Sequence, residues 1–146
     1  MAIFLRFAIA ILCFLGLPQL SAPAYAADQS PAPAGAQAYI ISPADGAVVS
    51  SPVRVRFGLK GMGIAPAGVD RPDTGHHHLL VDLQELPALS EPMPATKQLR
   101  HFGGGQTEVE LELSPGEHTL QLVLGNYSHV PHEPPVISDQ VTVTVE

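Results

Sequence analysis

The chain has 146 residues, of which 45% are hydrophobic, and a formal net charge of −7 with neutral histidines. This acidic balance argues against binding to nucleic acid or to anionic membrane surfaces, both of which need basic patches. The single cysteine excludes an internal disulfide and a zinc site built from several cysteines.

The first 26 residues have the pattern of a secretory signal peptide. Arg6 precedes an apolar run over 7–17, Pro18 ends that run, and Ala24 and Ala26 supply small residues at the −3 and −1 positions of a cleavage site. The apolar run is too short for a transmembrane helix, which needs about 20 residues. We therefore predict an exported protein, periplasmic or secreted, that is cleaved after Ala26 and does not insert into the membrane afterwards.

The mature chain that this cleavage would leave carries 6 basic and 14 acidic residues, a net charge of −8. Its first ten residues, ADQSPAPAGA (27–36), are small residues and proline, which predicts a disordered tether. The only cysteine, Cys13, lies in the signal, so the mature chain has no disulfide and must rely on a hydrophobic core. We assign residues 37–146 to one domain, which is long enough to bury such a core.

Short segments of alternating apolar and polar residues follow from Gln37, separated by glycine and proline. Their period of two predicts strands with one buried face, and no segment has helical periodicity. The sequence thus predicts an all-β fold, an antiparallel immunoglobulin-like β-sandwich of six to seven strands. In chain order the predicted strands are A (37–42), B (53–59), C (77–83), a poorly formed D (97–102), E (107–113), F (118–124) and G (140–145).

Six of the seven histidines fall in connections that such a sandwich brings to one end. Because strands alternate in direction, the B–C, D–E and F–G connections meet at one pole, while His118 lies at the other. We also expect strand C to pair with strand F, which places the start of C beside the HVPH segment (129–132). The histidines expected at the shared pole are His76, His77, His78, His101, His129 and His132.

Strand parity separates the three consecutive histidines of GHHHLLVDL (75–83). His77 is in phase with the apolar face of strand C and is expected in the core, whereas His76 and His78 project to the opposite side. Two imidazoles at positions i and i+2 of a strand can offer two ligands to one ion. Three histidines, or two with a carboxylate, suit Zn(II) or Cu(II). The predicted partner is therefore a divalent metal ion, and the predicted ligands are His76, His78, His101, His129 and His132.

Carboxylates in the same loops are candidates for further ligands. Asp70, Asp73 and Glu133 lie in the connections that carry the histidines and could complete a divalent site. Cu(I) is disfavoured because no cysteine remains after cleavage and because Met62 and Met93 do not form a methionine-rich motif.

Other interpretations of the histidines stay open. They could form a hydrogen-bonded network that holds the loops, or a non-catalytic recognition surface for a glycan or an envelope protein. His118, just after a Pro-Gly turn, is expected to be structural. An enzyme is not expected: a metal-bound water with a nearby carboxylate as base can be drawn, but no catalytic motif such as G-x-S-x-G marks one.

Three longer segments resemble a known family. They are GMGIAPAGVDRPDTGHHHLLVD (61–82), HFGGGQTEVELEL (101–113) and PGEHTLQLVLGNYSHVPHEPPVISDQVTVTV (115–145). Together they are similar to a family of small exported bacterial proteins defined by a domain of unknown function, and the resemblance covers nearly all of the mature domain. It implies an exported, immunoglobulin-like β domain, and it implies no catalytic residues.

Overall fold

The computed structural model of the protein describes residues 29–146, so the predicted signal peptide lies outside the described residues. Within 29–146 no helix is long and apolar enough to cross a membrane. The same residues form nine strands: β1 (Gln37–Ser42), β2 (Ala47–Val49), β3 (Val53–Lys60), β4 (Gly63–Ile64), β5 (Thr74–Val81), β6 (Leu99–His101), β7 (Glu108–Leu111), β8 (Gly116–Gly125) and β9 (Val141–Val145).

These strands form two sheets, and the predicted all-β sandwich is confirmed. The smaller sheet has the order β1-β3-β7, and the larger has the order β2-β9-β8-β5-β4, with β6 also paired to β5. Strand β5 pairs antiparallel with β8, as expected for predicted strands C and F. Strands β2 and β4 were not predicted, and both pair in parallel with their neighbours. They have only three and two residues, too few for a period of two to show in the sequence.

The main core lies between the sheets and follows from the alternation of residues on each strand. On β3, Val53, Val55 and Phe57 are buried, while Arg54 and Arg56 between them are exposed. The two arginines stand opposite two glutamates of β7, with the Arg54 guanidinium 2.8 Å from the carboxylate of its partner. Each fully buried aliphatic side chain of this core stabilises the fold by about 1.5–3 kcal/mol.

A second, smaller core covers the outer face of the larger sheet. Leu80 and Val123 point away from the space between the sheets, yet they are buried because Met93 and Leu99 pack on them. Met93 belongs to a proline-rich stretch without regular structure, residues 82–98, which we call the covering segment. Side chains on the outer face of β5 are therefore shielded from water, although they lie outside the sandwich.

Strand β5 begins three residues earlier than predicted and ends two residues earlier. His76 pairs with Gly125 of β8, and Thr74 pairs with Gly63, so hydrogen bonding to both neighbours extends the strand toward its N-terminal end. At the other end Asp82 has a positive φ of 53°, which breaks the extended conformation. All three consecutive histidines consequently lie inside a regular strand, where their orientations are fixed.

The segment predicted as a tether packs against the domain in its described part, residues 29–36. The amide of Ala32 donates to the carbonyl of Glu133, whose own amide donates to the carbonyl of Ser30, both at 3.0 Å. Ala32 and Ala36 pack against the main core. Small residues and proline suit this arrangement because they let the backbone approach the domain closely and bond to it.

Candidate metal centre

Strand β5 divides its three consecutive histidines between two faces, as parity predicted. The ring of His77 points into the main core, where its centroid lies 5.2 Å from that of Phe57 in an edge-on contact. His76 and His78 point to the outer face and are both completely buried. Their ring centroids are 4.8 Å apart.

Strand β6 brings a third imidazole to this pair. His101 stands directly opposite His78 in the antiparallel pairing of β5 and β6. Its ring centroid lies 5.1 Å from that of His78 and 5.0 Å from that of His76. His101 is the last residue of β6, inside the span predicted for strand D, and its side chain is exposed. Cross-strand neighbours are held at a fixed spacing, so its position is as well defined as that of His78.

The turn that follows β8 supplies a fourth ring, that of His129. The side-chain oxygen of Asn126 accepts hydrogen bonds from the backbone amides of Ser128 and Val130, both at 3.0 Å. Within this turn His129 has a positive φ of 69°, a conformation that side-chain-bearing residues seldom adopt. Its amide donates to the Asn126 carbonyl, and its carbonyl accepts from the amide of Met93. Such strain persists only where the surroundings hold it, and here it fixes the direction of an imidazole.

The four rings make one compact group, which we call the histidine cluster (His76, His78, His101 and His129). The centroid of His129 lies 4.7 Å from that of His101, 5.1 Å from that of His76 and 6.1 Å from that of His78. Three separate parts of the chain thus contribute to it: two rings come from β5, one from β6 and one from the turn after β8.

Two glycines leave the space that the rings occupy. A Cβ added at Gly125 would stand 2.7 Å from Cε1 of His78, and a Cβ added at Gly103 would overlap Cε1 of His101. Real Cβ atoms do not come this close to other heavy atoms, so any other residue at these positions would displace an imidazole. Here the absence of a side chain serves close approach, and neither glycine has a positive φ.

The spacing of the ring nitrogens fits one metal ion after a small adjustment. One ligand atom from each of His76, His78 and His101 lies within 4.8 Å of the other two. An ion centred between three atoms at this spacing would lie at most 4.8 Å divided by √3, about 2.8 Å, from each of them. Zinc–nitrogen bonds are about 2.0–2.1 Å long, so each ring needs to move inward by less than about 1 Å. This group contains no carboxylate among the described residues, and Asp70, Asp73 and Glu133 are exposed.

The buried imidazoles have no hydrogen bonds to offset their burial. Neither ring nitrogen of His76 or His78 has a hydrogen-bond partner among the described residues. Burial, with the neighbouring rings of His101 and His129, lowers the pKa of His76 from 6.5 to about 4. Burial, with the rings of His76 and His101, lowers the pKa of His78 to about 3. Both rings are therefore neutral at pH 7, the state in which imidazole binds metals.

His132, the fifth predicted ligand, does not join these rings. Its Nε2 lies 3.2 Å from the carbonyl oxygen of Thr74 and its Nδ1 lies 3.5 Å from that of Leu124. The shorter contact assigns the proton of the neutral ring to Nε2, which donates to Thr74. A Cβ at Gly75 would stand 2.9 Å from this ring, so His132 fills the space beside that glycine. Its position joins the HVPH segment to the start of β5.

His118 lies at the opposite end, as expected, and both of its nitrogens are hydrogen-bonded. Nδ1 is 2.7 Å from a carboxylate oxygen of Asp82, and Nε2 is 2.8 Å from the carbonyl oxygen of Ser114. These bonds raise the pKa of His118, the bond to Asp82 contributing most. The doubly protonated ring suits this pair of acceptors, since each N–H then donates to one oxygen.

Sequence reasoning missed the residues that support the cluster. Asn126 orders the turn of His129, and Gly103 and Gly125 leave room for two rings. Their roles depend on contacts between distant parts of the chain. The sequence signals were weak: a Gly-Asn pair at the end of a predicted strand and a run of three glycines after His101.

The fold and the site define an immunoglobulin-like sandwich that carries four imidazoles on the outer face of its larger sheet. The chain belongs to the family described as Domain of unknown function (DUF4399), whose model matches residues 55–146. That span contains the whole histidine cluster. No curated protein and no solved structure matches the chain.

Proposed function

We propose that this domain binds a divalent transition metal ion, Zn(II) or Cu(II), with His76, His78 and His101 as ligands and His129 as the fourth. One observation carries the proposal: His76 and His78 are completely buried without a hydrogen-bond partner among the described residues, and they face two further imidazoles. His77 also lacks such a partner, but its ring packs against Phe57 in the main core. An unsatisfied buried polar group costs about 1–3 kcal/mol. Coordination of an ion would offset that cost, whereas packing alone leaves it uncompensated.

The chemistry of the donor set favours Zn(II) or Cu(II) over harder cations. Imidazole nitrogen suits Zn, Cu and Ni, while Mg and Ca prefer oxygen ligands. His76 and His78 are already neutral at pH 7, so binding would displace few protons from them. The exposed edge of His101 offers a path for the ion from solvent.

The two other interpretations of the histidines have less support. A structural network would use ring nitrogens as hydrogen-bond donors and acceptors, as His118 and His132 do, but those of His76 and His78 have no such partners among the described residues. A recognition surface would need exposed rings, and of the cluster only His101 is exposed.

We further propose that the protein is exported and acts without catalysis. The signal-peptide pattern of residues 1–26 supports export, to the periplasm or beyond it. The candidate carboxylate bases are exposed and lie outside the group of ring nitrogens, which favours a binding role over metal-assisted hydrolysis. Sequencing the N-terminus of protein recovered from the periplasm tests the first part, and a mature chain starting near position 27 is expected.

Calorimetric titration with Zn(II) and Cu(II) at about pH 7.5 tests metal binding, on protein purified without a histidine tag or nickel resin. We expect one ion per chain at micromolar affinity or better. His101→Ala should weaken binding by at least about tenfold, about 1.4 kcal/mol, without disturbing the buried core, since the ring is exposed. The matched control is His132→Gln, which should leave affinity within about twofold because that ring bonds to carbonyls.

Two outcomes would overturn the proposal. The first is wild-type binding weaker than about 1 mM for both ions. The second is unchanged binding after His76→Asn combined with His78→Asn, in a variant whose circular dichroism matches the wild type. A large loss of metal affinity in His132→Gln alone would indicate that the metal binds at the HVPH segment and not at the outer face of β5.

A further inference from the structure

A buried methionine borders the histidine cluster. Met93 is 5% exposed and lies in the covering segment, in the connection between β5 and β6. Its backbone amide donates to the carbonyl of His129 at 3.0 Å, so its main chain is fixed to the turn that carries the fourth imidazole. No regular secondary structure holds Met93 in place, and this bond ties it directly to a candidate ligand.

The thioether end of Met93 shares a small space with the ring of His78. A Cβ on Gly125 would stand 2.7 Å from Cε1 of His78 and 3.1 Å from Cε of Met93. The methyl group and the imidazole therefore lie on two sides of the gap that this glycine leaves. Methionine has three rotatable side-chain bonds, and small rotations about them redirect its sulfur without moving the backbone.

We propose that the histidine cluster also binds Cu(I), with the sulfur of Met93 as its soft ligand. Thioether sulfur selects Cu(I) over the divalent ions that imidazole alone accepts, so one site would hold copper in both oxidation states. The sequence disfavoured Cu(I) because neither methionine belongs to a methionine-rich motif. The tertiary structure instead brings Met93 next to His78 and His129. This inference rests on the proposed metal site and names a further ion for it.

A purely structural role for Met93 makes a different prediction. Met93 packs with Leu80, Leu99 and Val123 in the small outer core, and leucine would fill that position almost as well. Exchange of Met for Leu in a core conserves volume and is usually tolerated. Met93→Leu therefore removes the sulfur while keeping the packing, which makes it the informative substitution.

The test compares affinities for Cu(I) and Zn(II) in the same variants. Cu(I) is supplied anaerobically with ascorbate and measured by competition with bicinchoninate. We expect Met93→Leu to weaken Cu(I) binding by about tenfold or more and to change Zn(II) binding by less than about twofold. Met62→Leu is the control, because Met62 packs against the main core. Equal Cu(I) affinity in wild type and Met93→Leu, or equal losses for both ions, would overturn the inference.

A spectroscopic readout covers the case in which Met93→Leu does not fold. Met93 and Met62 are the only methionines after the predicted cleavage site. Selenomethionine-labelled Met62→Leu protein then carries one label within 27–146, at position 93. The extended fine structure of the copper X-ray absorption spectrum should show selenium as a neighbour of Cu(I). Copper bound with only nitrogen neighbours would contradict the role of Met93. If the wild type binds neither Zn(II) nor copper, the proposed function itself fails.

Discussion

His118 and the histidine cluster show two opposite solutions for the same side chain. His118 donates to Asp82 and Ser114, and those bonds raise its pKa. His76 and His78 are buried without such bonds, and burial lowers their pKa values to about 4 and about 3. Two oxygens thus favour the protonated form of one histidine, while burial favours the neutral form of the other two.

The contrast separates structural histidines from candidate ligands better than burial does. His132 is as buried as His76, yet its nitrogens face two backbone carbonyls. The atoms that surround the ring nitrogens distinguish the two groups of histidines. Where the nitrogens contact oxygens, hydrogen bonding explains the residue. Where a ring has no such bond and lies among other imidazoles, as in the cluster, a metal ion is the partner that explains the arrangement. His77 also lacks such a bond, but its neighbour is the ring of Phe57 in the core.

The largest difference between the histidine cluster and His118 is expected in how their contributions to stability change in acid. The unfolded chain takes up protons on His76, His77 and His78 near pH 6.5, whereas the folded chain resists until about pH 4 for the first two and about pH 3 for His78. Their contribution to stability is therefore complete above pH 6.5 and declines as pH falls toward those values. We expect the metal-free protein to lose thermal stability steadily from about pH 7 to about pH 4, measured by circular dichroism.

His118 has the opposite sign and serves as the control for that series. Because its pKa in the folded state is raised, its contribution is complete below pH 6.5 and declines as pH rises through the folded value. His118→Asn should cost about 1 kcal/mol at about pH 5.5 and less at about pH 9. Stability that is independent of pH between about 7 and 4 in the wild type would contradict the buried neutral state of the three histidines of β5.

A smaller effect is expected from Gly125→Ala, which brings a methyl group against the ring of His78 and the end of Met93. Overpacking of this kind costs about 1–3 kcal/mol of unfolding free energy, and metal affinity should fall with it. The matched control is Gly63→Ala, where the nearest atom to an added Cβ is at 3.4 Å, an ordinary contact. Urea denaturation measures both. A variant at position 125 as stable as the control would show that His78 is not confined there.

The smallest effect on stability is expected from Gly103→Ala, which displaces the exposed ring of His101 and little else. The unfolding free energy should stay within about 0.5 kcal/mol, since an exposed side chain can turn aside. Affinity for Zn(II) should nevertheless fall by about tenfold, because one ligand has moved. Calorimetry measures the metal affinity and urea denaturation measures the unfolding free energy of the same sample. An unchanged affinity would remove His101 from the ligand set.

Much of the fold could be predicted from the alternation of apolar and polar residues within each segment. Alternation predicted the buried face of β3, because successive side chains of a strand point to opposite faces. The same rule assigned His77 to the core and its two neighbours to the other side. The short strands β2 and β4 escaped prediction because their pairing partners, and not their own residues, define them.

The sequence by itself determined which histidines share a face of a strand, since that depends only on a period of two. Only the tertiary structure decided which distant residues meet that face. Strand β6 pairs with β5 and sets His101 opposite His78, while His132 turns to a carbonyl 58 residues away. The covering segment brings Met93 to the cluster. Such contacts depend on hydrogen bonding and packing between segments far apart in the chain, which no local pattern encodes.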